Sequence, residues 1–98
     1  MKAVFHPKAT EEFIEASLFY GRQVPGLGGA FVTEVERSVK LLVDQPEIGQ
    51  IIDAELRRLV LYRFPYSLIY SIERNKIWIV AVAHQRRRPG YWRARLDR

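Results

Sequence analysis

Residues 66–84 read YSLIYSIERNKIWIVAVAH, a segment in which Tyr66, Leu68, Tyr70 and Ile72 alternate with Ser67, Ile69, Ser71 and Glu73 ahead of a wholly apolar run. The dipeptide Arg74-Asn75 divides it, and a period of two on both sides of a tight turn is typical of two joined strands. Because strands with so short a link pair antiparallel, we predict a β-hairpin. Strict alternation in its second strand predicts that one face carries Ile77, Ile79, Ala81 and Ala83, and the other face Trp78, Val80, Val82 and His84.

The segments on either side of this hairpin carry helix and strand signals of their own. Pro7 suits the first turn of a helix, and glycines with Pro25 break the helical pattern within residues 21–29. The predicted elements are a strand at residues 2–6, helices from Pro7 and over about residues 30–44, strands at 58–62, 66–73 and 76–84, and a short helix within 91–98. The predicted fold class is therefore α+β: a helical hairpin packed on a small antiparallel sheet, in the order β-α-α-β-β-β with a short C-terminal helix.

Composition narrows the class of protein. The chain has 98 residues, 48% of them hydrophobic, which predicts a single domain covering residues 1–98. The absence of cysteine excludes disulfide scaffolds and thiolate metal sites, and two distant histidines without further ligands predict no metal and no cofactor. The longest apolar run, residues 77–83, is far too short to span a membrane, so we expect no membrane association and a cytoplasmic location.

The excess positive charge is concentrated at the C-terminal end. Residues 1–83 carry ten basic and ten acidic side chains, whereas residues 84–98 carry six arginines and one aspartate. Guanidinium groups match phosphate and carboxylate geometry, so the segment predicts an anionic partner, unless it is a solvated tail. Tyr91 and Trp92 either offer stacking platforms or pack the segment onto the sheet. The candidate anion-binding residues are Arg57, Arg63, Arg86, Arg88, Trp92, Arg93 and Arg95.

The first predicted helix carries two features outside its main apolar stripe. Ile14 and Leu18 form a second apolar pair, which either widens the buried face or docks another chain. Three carboxylates, Glu11, Glu12 and Glu15, lie on the other side, and the simplest interpretation is a solvated helix face rather than a catalytic pair.

The order of several short motifs resembles the RelE/ParE superfamily, the toxins of bacterial type II toxin–antitoxin pairs. The resemblance covers nearly the whole chain. The matching motifs include Pro25-Gly26-Leu27-Gly28, Arg63-Phe64-Pro65-Tyr66, Ala81-Val82-Ala83-His84 and Arg88-Pro89-Gly90-Tyr91-Trp92. The superfamily implies the same fold, growth arrest by the free toxin, and neutralisation by a cognate antitoxin. Charge complementarity predicts that this antitoxin is acidic and covers the Ile14/Leu18 pair or the basic C-terminal surface.

The superfamily has two main activities, and the resemblance implies different residues for each. RelE-like members cut mRNA on the ribosome; here Arg58, His84, Arg87 and Tyr91 would be the catalytic residues. ParE-like members inhibit DNA gyrase. Ser67 stands where RelE-like nucleases carry an active-site arginine, and a serine cannot stabilise phosphorane charge as a cation does. The ParE-like activity is therefore favoured, with the ribosome-dependent nuclease and an inactive antitoxin- or RNA-binding relative as alternatives.

Overall fold

The computed structural model describes residues 1–97 and shows two helices packed on one face of a five-stranded sheet. Arg98, the end of the predicted C-terminal helix, lies outside the described residues. The elements are β1 (Lys2–Phe5), α1 (Pro7–Gln23), α2 (Leu27–Asp44), β2 (Gln50–Asp53), β3 (Leu56–Val60), β4 (Tyr66–Glu73) and β5 (Lys76–His84), with short 3-10 turns at Pro46–Ile48 and Arg93–Leu96. The predicted α+β class is confirmed, and neither helix in the described part of the chain is long and apolar enough to cross a membrane.

The sheet has the strand order β1-β5-β4-β3-β2 and is mixed rather than wholly antiparallel. The predicted hairpin of β4 and β5 is confirmed, and β3 also pairs antiparallel with β4. Two details differ from the expectation. β1 pairs parallel with β5, which is possible because no short link joins them: both helices and three strands separate them in the chain. The strand β2, which was not predicted, pairs antiparallel with β3 at the sheet edge. It has only four residues and lies in a polar stretch of the sequence.

A β-bulge in β5 changes which side chains face the helices. Ile69 pairs with Ala81, but the next residue of β4 pairs with Ile79, so Val80 is an extra residue in its strand. Ile79 and Val82 consequently belong to the helix-side core, while Val80, Ala81 and Ala83 belong to the core on the opposite face. The predicted strict alternation along β5 holds through Val80 and is wrong from Ala81 onward.

The connection between α1 and α2 is shorter than the glycine cluster indicated. α1 continues through Gly21 to Gln23, and α2 begins at Leu27 rather than near Ala30. A Cβ atom at Gly28 would lie 2.6 Å from the backbone oxygen of Ser17, so this glycine permits the close approach of the two helices. Gly26, with φ of 85°, is the residue that makes the turn.

The sheet is covered on both faces. On the first, α1 and α2 bury Phe31, Val35 and Leu42 against residues of β4 and β5. On the second face, Trp92 of the C-terminal segment packs in one cluster with Ile69 and is only 8% exposed. The C-terminal segment is thus part of the folded core, and the loops at the carboxyl end of β5 are held from two sides.

Candidate functional site

Two loops meet at one end of the sheet, and within residues 1–97 the four arginines that they carry have no carboxylate partner. One is the β3–β4 connection, residues 61–65, and the other is the arginine-rich turn that follows β5. The backbone N–H of Gln85 donates to the carbonyl of Pro65 over 2.8 Å, which joins the loops directly. His84 organises the second loop, because its Nδ1 accepts from the N–H of Arg86 at 3.0 Å and its carbonyl accepts from the N–H of Arg87.

Three of the predicted anion-binding arginines already bind groups of the protein itself. Arg93 pairs with Asp53 at 2.6 Å, and Arg95 forms a two-pronged ion pair with Glu12. Arg57 donates to the backbone carbonyls of residues 47 and 49. Their side chains therefore stabilise the fold, as does Trp92, whose ring is buried and offers no free stacking face.

The other three predicted arginines are exposed and available. Within residues 1–97, Arg63, Arg86 and Arg88 have no carboxylate within salt-bridge distance. All three belong to the two joined loops, so the structure brings their positive charge to one end of the sheet. An uncompensated cluster of this kind attracts an anionic surface.

The residues implied by the nuclease resemblance are brought together only in part. Arg58, His84 and Arg87 line a small pocket of about 100 Å³, with Ser67 in its wall. Tyr91 does not line this pocket. It lies in a neighbouring cleft of about 330 Å³ between α1 and the C-terminal segment, to which His84 and Arg87 also contribute.

The hydroxyl of Tyr91 is committed to a carboxylate. It donates a 2.6 Å hydrogen bond to Glu12, and the guanidinium carbon of Arg87 lies 3.8 Å from the centre of its ring. Burial raises the pKa of Tyr91 well above its usual value of 10.0, and Glu12 raises it further, against smaller opposite effects of Arg95 and Arg87. The hydroxyl of Tyr91 is therefore held as a hydrogen-bond donor to Glu12.

Glu12 is the residue whose role the sequence did not indicate, and its assignment to a solvated helix face was wrong. Besides Tyr91 and Arg95, its carboxylate accepts the backbone N–H of Val82 at 3.0 Å. Burial raises the pKa of Glu12, but the hydrogen bonds from Arg95, Tyr91 and Val82 outweigh burial and lower it overall. No local pattern could reveal this role, because all three partners lie 70 or more positions away.

The apolar pair on α1 does not widen the buried face. Ile14 is 51% exposed and Leu18 is 56% exposed, and Phe19 beside them is 48% exposed. These side chains form an uncovered apolar strip on the outer side of α1.

In the described part of the chain, no group of three His, Asp or Glu side chains could hold a metal ion.

The comparisons with known proteins agree with this architecture. The model of the ParE toxin family, described as the ParE toxin of the type II toxin-antitoxin system parDE, matches residues 3–89. This chain belongs to the ParE toxin family and is a toxin of the type II toxin–antitoxin class. The fold is also that of a solved structure titled "Chromosomal ParDE TA system from P. aeruginosa", with a TM-score of 0.74 and 22% identity over 86% of this chain and 95% of that one. No curated protein matches the chain.

Proposed function

We propose that this toxin arrests growth by inhibiting DNA gyrase, as a binding protein rather than by catalysing a reaction of its own. The serine at position 67 supports this most strongly: the resemblance implies an arginine at this position in the nuclease branch, and here Ser67 lines the pocket with Arg58, His84 and Arg87. A neutral hydroxyl lacks the charge that stabilises a dianionic phosphorane. The hydrogen bond from Tyr91 to Glu12 supports the same conclusion, since the hydroxyl that the nuclease resemblance assigns to proton transfer is already bound within the protein.

The test is inducible expression with two readouts taken from the same culture. Plasmid supercoiling reports on gyrase, and the integrity of ribosome-bound transcripts reports on nuclease activity. We expect loss of negative supercoiling with intact transcripts, and inhibition of purified gyrase by the purified toxin at stoichiometric excess. Normal supercoiling in arrested cells, together with an unaffected purified enzyme, would contradict the proposal.

A ribosome-dependent nuclease is the second candidate, and its support is that three of the four residues implied by the resemblance line one pocket. It predicts transcript cleavage after induction, and relief of toxicity in His84→Ala with the fold retained. The ring Nδ1 of His84 accepts the backbone N–H of Arg86, so its replacement must be accompanied by an unfolding measurement. Intact transcripts in arrested cells would exclude this candidate.

We further propose that an acidic cognate antitoxin neutralises the toxin and covers the apolar strip of α1. Ile14 and Leu18 are about half exposed and belong to neither hydrophobic cluster of the described chain, and burying their exposed surface is favourable for a complex. Leu18→Glu should weaken antitoxin binding at least about tenfold, since it places a charge in the dry centre of the interface. Thr33→Glu, an exposed position on α2, is the control that adds the same charge elsewhere.

Deletion of the C-terminal residues is not a suitable test of electrostatic attraction to the antitoxin. Deleting residues 93–98 would remove Arg95 and leave Glu12 without its cation, so it would test folding instead. Replacing the exposed Arg86 and Arg88 by glutamine removes charge without touching an ion pair of the described chain. If the salt dependence of antitoxin affinity is unchanged in that variant, the basic surface does not take part in neutralisation.

A further inference from the structure

Arg63 has a backbone conformation that arginine rarely adopts. Its φ is 73°, and within residues 1–97 it is the only residue other than glycine with a positive φ. In this region the Cβ of an L-residue approaches the following carbonyl oxygen, so glycine would fit the position at lower energy. An arginine kept at such a position is a reason to look for a role of its side chain.

The surrounding structure fixes this corner of the sheet firmly. The buried carboxylate of Glu34 on α2 accepts the backbone N–H of Tyr62 over 2.7 Å, and Arg37 holds Glu34 with two bonds of 2.9 Å. Two backbone hydrogen bonds, from Leu61 to Tyr66 and from Tyr66 to the carbonyl of residue 64, close the loop. The strained conformation is therefore imposed by contacts on both sides of Arg63.

The residues at and next to the fixed corner include exposed apolar and cationic side chains. Tyr62 is 71% exposed and Val60 is 67% exposed, the two most exposed large apolar side chains among the described residues. Arg63 is exposed beside them and has no carboxylate partner there. The loop bearing Arg86 and Arg88 is joined to this corner by the bond from Gln85 to Pro65. Hereafter the corner surface means Val60, Tyr62, Arg63, Arg86 and Arg88.

Its composition favours a protein partner over a nucleic acid. Tyrosine and arginine are the residues that most often dominate binding energy in protein interfaces, where an apolar centre is surrounded by charge. Binding to phosphates needs cations that follow the backbone, and the exposed Val60 would add little to it. Arg57, Arg93 and Arg95, which could extend a cationic track, are bound within the protein.

We propose that the corner surface binds an acidic surface of the toxin's protein target. Tyr62 is the apolar anchor of this interface, and Arg63 is its central cation. This inference rests on the proposed function, in that the target is taken to be gyrase. A binding role explains why arginine occupies this strained position: its side chain contributes to binding, and its backbone conformation costs stability.

The decisive variant is Arg63→Gly, because strain and binding predict opposite effects for it. We expect a higher melting temperature than wild type, together with loss of growth arrest and at least about tenfold weaker binding to the purified gyrase holoenzyme. The matched control is Arg74→Gly, in the exposed turn at the other end of the hairpin, which removes the same charge and should leave growth arrest unchanged. Tyr62→Ala should weaken binding like Arg63→Gly without the gain in stability.

Each other outcome has a definite meaning. Full toxicity in Arg63→Gly and Tyr62→Ala, or a lower melting temperature in Arg63→Gly, would overturn the inference. Binding of the wild type to a 20-base-pair DNA duplex without gyrase, lost in Arg63→Gly, would assign the surface to nucleic acid and overturn it too. If Arg63→Gly lost affinity for the antitoxin but kept its toxicity, the inference would also be overturned. If the wild type leaves gyrase unaffected yet arrests growth, the proposed function fails, and the corner surface is then judged by the toxicity of Arg63→Gly alone.

Discussion

Arg95 donates two hydrogen bonds, of 2.9 and 2.8 Å, to the two carboxylate oxygens of Glu12, which stands 83 positions earlier in the chain. The pair lies beside the part of β5 that β1 does not cover, since β1 ends opposite Ile79. There Arg95 donates to the carbonyl of Val80, and Glu12 accepts the N–H of Val82. The two side chains thus satisfy the open edge of β5 as a strand would, and they tie the C-terminal segment to α1.

Removing the carboxylate should therefore destabilise the whole protein. Both side chains of the pair are 14% exposed, and Glu12→Gln leaves Arg95 without its anion in a largely buried place. We expect a loss of about 2–3 kcal/mol in the free energy of unfolding, measured by urea titration with circular dichroism. Glu15→Gln, an exposed carboxylate on the same helix, should change it by less than about 0.5 kcal/mol. Equal effects of the two variants would show that the pair contributes nothing.

Acid should unfold the protein through the same carboxylates. Burial raises the pKa of Glu12 and of Glu34, but hydrogen bonds, chiefly from Arg95 and from Arg37, outweigh it, and both pKa values lie below the usual 4.5. A carboxyl with a lowered folded-state pKa contributes stability that is present above pH 4.5 and is lost as the pH falls through the folded-state value. Melting temperatures should therefore fall below that pH, and less steeply in Glu12→Gln. Identical acid profiles for the variant and the wild type would contradict this.

The secondary structure was largely predictable because its signals are local. The period-two pattern and the turn at Arg74-Asn75 indicated the β4–β5 hairpin, and Pro7 indicated where α1 begins. The bulge at Val80 was not predictable in this way, because a bulge depends on the partner strand. For the same reason the short strand β2, which is defined by pairing with β3, gave no clear pattern of its own.

The candidate site was less predictable than the fold. Composition showed that arginines cluster near the C-terminus, but not which of them have partners. Arg93 and Arg95 bind carboxylates that lie 40 and 83 positions away, whereas Arg86 and Arg88 are free of such partners in the described chain. Tyr62 carried no signal, because its importance arises only from a corner shaped by the distant Glu34.

The helical hairpin offers a matched pair of glycines that should respond in opposite directions. Gly28→Ala places a methyl group 2.6 Å from the carbonyl oxygen of Ser17, which must push the helices apart and should cost about 1–3 kcal/mol. Gly29→Ala meets nothing within 4 Å in the same helix and should stabilise it by about 0.5–1 kcal/mol. Thermal unfolding of both variants measures the difference. Stabilisation by both would mean that the helices do not approach closely at Gly28.

Tyr91→Phe separates a structural tyrosine from a catalytic one. The change removes the hydroxyl that donates to Glu12, while Arg95 and the N–H of Val82 continue to satisfy that carboxylate. We expect a loss of about 1–2 kcal/mol in unfolding free energy, measured by urea titration, and growth arrest equal to wild type at matched protein levels. The phenyl ring keeps its stacking contact with Arg87, so the loop at the basic end should keep its shape. A folded Tyr91→Phe protein that no longer arrests growth would show that the hydroxyl acts in the toxic reaction, and would favour the nuclease over the gyrase inhibitor.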